Sequence, residues 1–120
     1  MNYYAKEHGF SNDVSVEVTE EIAWCNEIVL TAIGDCDSCC LCCIRDTVAL
    51  EGLGIPTALI ITTEYVNETR RTRAAIEMPE LRPVVIGRPV SSITKEEAAQ
   101  RVAAIQVQAR EVWLGMRLDI

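Results

Sequence analysis

At 120 residues the chain is long enough for one domain with a real core, and its 49% apolar content excludes a disordered chain. Its net charge of −7 and pI near 4.7 argue against nucleic acid or an anionic membrane as the main partner. Aromatic residues make up only 5%, so aliphatic side chains must fill the interior.

Residues 1–12 are polar and aperiodic and are read as a flexible N-terminal arm, leaving 13–120 as a single α/β domain. The arm carries His8, read as a free surface histidine. The start lacks the apolar core of a signal peptide, and no run reaches the ~18–20 apolar residues of a membrane span. The expectation is therefore a cytoplasmic protein with reduced thiols and no structural disulfide framework.

Val14, Val18, Ile22 and Cys25 recur at helical spacing and predict a helix over 14–25, with Cys25 buried as a small apolar residue. A run apolar on both faces predicts a first strand at about 27–33, covered on both sides as in a parallel sheet. Gly34 then allows a tight turn.

Five of the six cysteines follow within eight positions: Cys36, Cys39, Cys40, Cys42 and Cys43. Cys36 falls in the loop past the strand and Cys39 in the first turn of a helix that runs to about Leu50–Leu53. Gly52, Gly54 and Pro56 stop that helix. Leu41, Ile44 and Val48 line one side of it, and Cys39, Cys43, Leu50 and Leu53 the other. A helix apolar on two sides is covered on two sides, here by the sheet and by a subunit or second layer.

Thr57–Thr62 is the second strand, followed at its carboxyl end by Thr63 and Glu64. A helix of mixed character covers 66–77; Arg70, Arg71 and Arg73 are read as its solvated face, with an anion site as the sharper alternative. Pro83–Ile86 is the third strand, closed by Gly87-Arg88-Pro89. Thr94-Lys95-Glu96-Glu97 is a capping box. Beyond it, Ala98, Val102, Ile105, Ala109, Val112 and Met116 mark one long amphipathic helix at about 95–116, with Trp113 packed beside the stripe.

The order αβαβαβα predicts a small open three-stranded parallel sheet, Rossmann- or flavodoxin-like, with helices on both faces. Ligands of such sheets bind outside the strands' carboxyl ends. Cys36, Thr62–Glu64 and Gly87–Arg88 fall at that edge. A three-stranded sheet leaves an edge or face to pair with another chain, so a homo- or hetero-oligomer is expected.

The cysteine spacings overlap. Cys36-x-x-Cys39 is a redox-type pair at a helix start, where unpaired N–H groups ease thiol ionisation. Cys36-x-x-Cys39-x-x-Cys42 extends it. Cys36-x-x-x-Cys40-x-x-Cys43 has the spacing of radical-SAM iron–sulfur motifs, but those enzymes need a much larger barrel. Cys40, Cys42 and Cys43 also read as small apolar helix residues.

Two functions from different classes follow. In the first, Cys36 is the nucleophile and Cys39 the resolving thiol of an enzyme acting on a small molecule, with no cofactor; Cys42 joins the pair, and Glu64 orients or protonates. Asp35, Ser38, Thr63 and Arg88 form the substrate-binding set, Arg88 holding a substrate carboxylate. In the second, Cys36, Cys39, Cys40, Cys42 and Cys43 hold zinc, copper or an iron–sulfur cluster. A non-catalytic assembly subunit is a third reading.

The run Ala32-Ile33-Gly34-Asp35-Cys36-x-Ser38-Cys39, then Asp46-x-Val48-x-Leu50-Glu51-x-x-Gly54-Ile55-Pro56-Thr57, resembles the UGSC family, named for a selenocysteine-Gly-Ser-Cys motif. Thr63-Glu64-Tyr65 and Met78-Pro79-Glu80-Leu81-Arg82-x-Val84-Val85 match as well. The layout is also similar to the selenoprotein B subunits of glycine, sarcosine and betaine reductases, whose selenocysteine-x-x-Cys-x-x-Cys positions Cys36, Cys39 and Cys42 match. The resemblance implies selenol- or thiol-based reductive chemistry, with Cys36 at the selenocysteine position. Two residues depart from the pattern: Asp37 replaces the motif glycine, and Arg88 stands where members often have histidine before the proline. Set beside longer relatives, the resemblance leads to the expectation that a leading strand is lacking here and that a partner supplies its place.

Overall fold

The computed structural model describes residues 2–5, 13–78 and 80–115. In chain order these form α1 (Val16–Cys25), β1 (Val29–Gly34), α2 (Asp37–Gly52), β2 (Thr57–Thr62), a 3-10 turn (Thr63–Tyr65), α3 (Val66–Ala75), β3 (Val84–Ile86) and α4 (Lys95–Trp113). The expected order is therefore present. The proposed arm, with His8, falls mostly outside the described residues, as do Pro79 and Met116. Of the arm's described part, Asn2 Nδ2 donates to Asn26 Oδ1 at 2.9 Å, and Asn26 donates to the Tyr4 hydroxyl at 3.3 Å.

The sheet is parallel throughout in the order β1-β2-β3. Strands that advance in one direction with right-handed crossovers put their connecting helices on one face. Accordingly α2 and α3 pack side by side on one face, and α4 covers β2 and β3 on the other. Both faces carry helices, but the second is covered by the helix that follows the last strand and not by a crossover.

The central strand explains the layering. Every residue of β2 is buried. Its odd positions Leu59 and Ile61 meet Cys40, Cys43 and Ile44 of α2, with Leu81, Val48, Tyr65 and Val66 around them. Its even positions Ala58 and Ile60 meet Val84, Ile86 and Ala109, with Ile105, Val112 and Trp113. Side chains alternate across a strand, so one apolar run serves two layers. Burying Leu59 or Ile61 contributes about 1.5–3 kcal/mol each.

Local signals set the helix ends. The Ser15 hydroxyl caps α1 by accepting from Val18 N at 3.3 Å. Thr94 and Glu97 form the expected capping box of α4. Gly54 takes φ +85° just past α2, where its N–H bonds Glu51 O at 2.9 Å and Ile55 N bonds Leu50 O at 3.1 Å.

Several expectations need correction. β1 is not covered on both sides: Leu30 is 42% exposed and Ala32 is exposed, because α4 lies over β2 and β3 and leaves the same face of β1 open. Cys25 is exposed, not buried, at the last turn of α1. Leu41 is 36% exposed; the sheet-facing side of α2 is Cys40, Cys43, Ile44 and Val48. Arg73 is not on a solvated face: it is buried and its Nη1 donates to Leu81 O at 2.7 Å, tying α3 to the approach of β3. Val102 of the α4 stripe is exposed, whereas Trp113 packs as expected and its Nε1 donates to Val29 O at 3.0 Å.

Candidate active site

The site forms where β1 hands over to α2. Gly34, the last residue of β1, is buried, and a Cβ there would lie 2.9 Å from Ile61 Cγ2 and 3.2 Å from Cys40 Cα. Its lack of a side chain lets α2 start close against β2, a stronger demand than the turn itself.

Cys36 is the N-cap of α2, with extended backbone at φ −154° and ψ 166°. Its Sγ accepts from Cys39 N at 3.2 Å, in the place where Ser or Asp usually caps. Cys39, one turn on, is joined to Cys36 in a disulfide with the Cα atoms 5.1 Å apart. Both residues are partly exposed. Ser38 Oγ lies 3.8 Å from Cys36 Sγ.

Asp35 binds the turn to the other two strands. Its Oδ1 accepts from Thr62 Oγ1 at 2.7 Å and from Arg88 Nε at 2.6 Å, while Arg88 Nη2 donates to the Asp35 carbonyl at 3.1 Å. The guanidinium stands 5.7 Å over the Tyr65 ring. Desolvation pushes the Asp35 carboxyl up, but the Thr62 and Arg88 hydrogen bonds and the Arg88 charge outweigh it and hold it below the usual carboxylate range. The hydrogen bond to Asp35 in turn pushes Arg88 further up.

The structure thus gathers Cys36, Cys39, Ser38, Asp35 and Arg88. Thr63 and Glu64 lie in the 3-10 turn after β2, both exposed, and the Glu64 charge acts on Arg88. Cys42 is not brought to the pair. It is 5% exposed, on the α2 row 42, 46, 49, 53, whose last three members line a cavity of about 280 Å³ against Val14, Val16 and Thr19. That cavity lies toward the other end of α2 and holds none of the expected site residues.

The metal set is not assembled either. Cys40 and Cys43 face the sheet at 0% and 1% exposure, Cys40 Sγ lying 3.6 Å from Thr69 Oγ1. Burial pushes the Cys40 thiol up, against the Thr69 hydrogen bond and with help from Glu68 and Asp37. Among the described residues no group of three or more His, Cys, Asp or Glu is arranged to hold a metal ion. A single helix points successive cysteines to different sides, so closeness in sequence does not give convergence.

Thr62 and Tyr65 were not among the expected site residues. Thr62 stands at the carboxyl end of an apolar strand, and a polar residue at that boundary was the available signal. Tyr65 entered only through the resemblance.

A model of the UGSC family matches residues 1–115. The chain belongs to the UGSC family. The motif that names the family falls here on Cys36-Asp37-Ser38-Cys39, the N-cap and first turn of α2. In this UGSC chain the motif's second position is acidic and exposed, at Asp37. Comparison with curated proteins gives no match, and comparison with solved structures gives none. The similarity to selenoprotein B subunits gains no support from these comparisons.

Proposed function

We propose that this UGSC-family chain is a thiol-dependent enzyme, or a subunit of one, that uses Cys36 and Cys39 for nucleophilic and reductive chemistry on a small molecule. The observation that carries the reading is the pairing of a helix-capping Cys36 with Cys39 at the carboxyl edge of the sheet, with both residues accessible.

In the reduced pair the Cys36 thiolate attacks an electrophilic carbon. A C–S bond forms, and the leaving group departs with its electron pair. The Cys39 thiolate then attacks the Cys36 sulfur. An S–S bond forms and the C–S bond breaks, its electron pair staying on carbon, which takes up a proton. The substrate gains two electrons, the pair becomes the disulfide, and an external dithiol reduces it again. Glu64, exposed beside Arg88, supplies the proton. Ser38 and Thr63 contact the substrate. Asp35 engages Arg88 through Nε and Nη2, so a substrate carboxylate would meet Nη1.

We also propose that the working form contains more than one chain. Support comes from the open side of the sheet, where Leu30 of the edge strand β1 is 42% exposed and Ile28, just before that strand, is 48% exposed.

Labelling tests the enzymatic reading. When the reduced, metal-free protein meets less than one equivalent of iodoacetamide, the label is expected on Cys36, ahead of the buried Cys40, Cys42 and Cys43. A map dominated by Cys42 or Cys43, with Cys36 spared, removes Cys36 as the nucleophile.

A further inference from the structure

The residue that precedes the thiol ties the end of its own strand to the other two strand ends. Asp35 follows β1, Thr62 ends β2 and Arg88 follows β3. Arg88 Nε and Nη2 reach the carboxylate and the carbonyl of Asp35 at 2.6 and 3.1 Å. That carbonyl belongs to the peptide joining Asp35 to Cys36, so the guanidinium is fixed against the segment that carries the thiol. The Tyr65 ring lies against the same guanidinium, its centre 5.7 Å away.

We propose that Arg88 is a positioning residue for Cys36: through Asp35 it holds the peptide that carries the thiol, and it offsets the acidic charge the thiolate meets. The proposal rests on the reading of Cys36 as the nucleophile.

The charges around the site set the sign. The turn and α2 bring Asp35 and Asp37, with Ser38 and Cys39. The segment after β2 brings Glu64 and Tyr65, and α3 adds Glu68 on the side of Cys40. The loop after β3 brings Arg88. Among the described residues the rim therefore sets Asp35, Asp37 and Glu64 against Arg88, with Arg101 of α4 held further back on the Gly87 and Pro89 carbonyls of the same loop. Carboxylates raise a neighbouring thiol's pKa, and a guanidinium lowers it. Without Arg88, Asp35 acts on the thiolate unopposed; without the Asp35 charge, Arg88 does. Either change breaks the same ion pair, yet the two act on the thiol in opposite directions. A merely structural pair would give both variants the same defect.

The test is the pH dependence of iodoacetamide labelling at the Cys36 peptide, in the full reduced chain carrying Cys39→Ser. Arg88→Gln is expected to slow labelling near neutral pH by about three- to tenfold, and Asp35→Asn to speed it by a similar factor, since one pKa unit is about tenfold in thiolate. Arg88→Lys keeps the charge and should stay within about twofold of the parent, and the double variant Asp35→Asn/Arg88→Gln should return toward it. Shifts of both single variants in one direction, or no shift in either while Cys36 still labels, overturn the proposal. Should Arg88→Gln fail to fold, Asp35→Asn decides: faster labelling supports the proposal, and unchanged or slower labelling overturns it. Failure of the underlying reading looks different. Cys36 is then unlabelled in the parent at every pH, and the proposal falls with it.

Discussion

Gly34 shows how a single residue can serve a site without touching substrate. A side chain there would press on Ile61 Cγ2 at 2.9 Å and on the Cys40 backbone at 3.2 Å. Neither neighbour yields easily, because Ile61 is fully buried and Cys40 Cα is part of α2. Gly34→Ala is expected to destabilise the protein by about 1–3 kcal/mol, read as a lower denaturant midpoint. A change within experimental error would show that the contact between β1, β2 and the start of α2 is slack. The sequence suggests a turn for Gly34, since glycine before a polar loop reads that way. The close approach depends on Ile61, 27 positions away, and no local pattern carries it. Arg88 is similar: its place at the carboxyl edge was legible, but its bond to Asp35 was not.

At the scale of the element, α2 was the most legible part and also the most misread. Its start at the Cys-x-x-Cys pair and its stop near Gly54 follow from local chemistry, and both are present. The roles of Cys40, Cys42 and Cys43 do not follow, because a cysteine reads equally as ligand, nucleophile or small core residue until its direction is known. Cys36 has a structural task as N-cap besides any chemistry. Serine is among the preferred N-caps, so Cys36→Ser should keep α2 capped and change the stability of the reduced protein by less than about 0.5 kcal/mol. Thermal melts in reducing buffer check this. A loss of several kcal/mol would mean that the sulfur is needed for packing, and that loss of reactivity in this variant says nothing about catalysis. Arg73 shows the opposite failure: three arginines on a polar helix suggest a wet face, and only the packing of α3 against the segment before β3 explains why one of them is buried.

For the whole molecule, the parallel order and the two apolar layers were legible from the alternation of helices with apolar strands. The bare side of β1 was not, because its sequence is as apolar as that of a covered strand and only the course of α4 leaves it open. That open side is the reason to expect association. Light scattering at micromolar concentration should give a mass above that of one 13.3 kDa chain; a stable monomer would show that β1 is left exposed. The central claim, a working dithiol–disulfide pair at Cys36 and Cys39, is tested most directly by equilibrating the reduced protein with glutathione buffers of rising potential and mapping the disulfides. The expected result is one reversible two-electron transition that joins Cys36 to Cys39, leaves Cys40, Cys42 and Cys43 as thiols, and disappears in Cys39→Ser. Oxidation that instead pairs Cys42 or Cys43, or a transition that survives in Cys39→Ser, would contradict it.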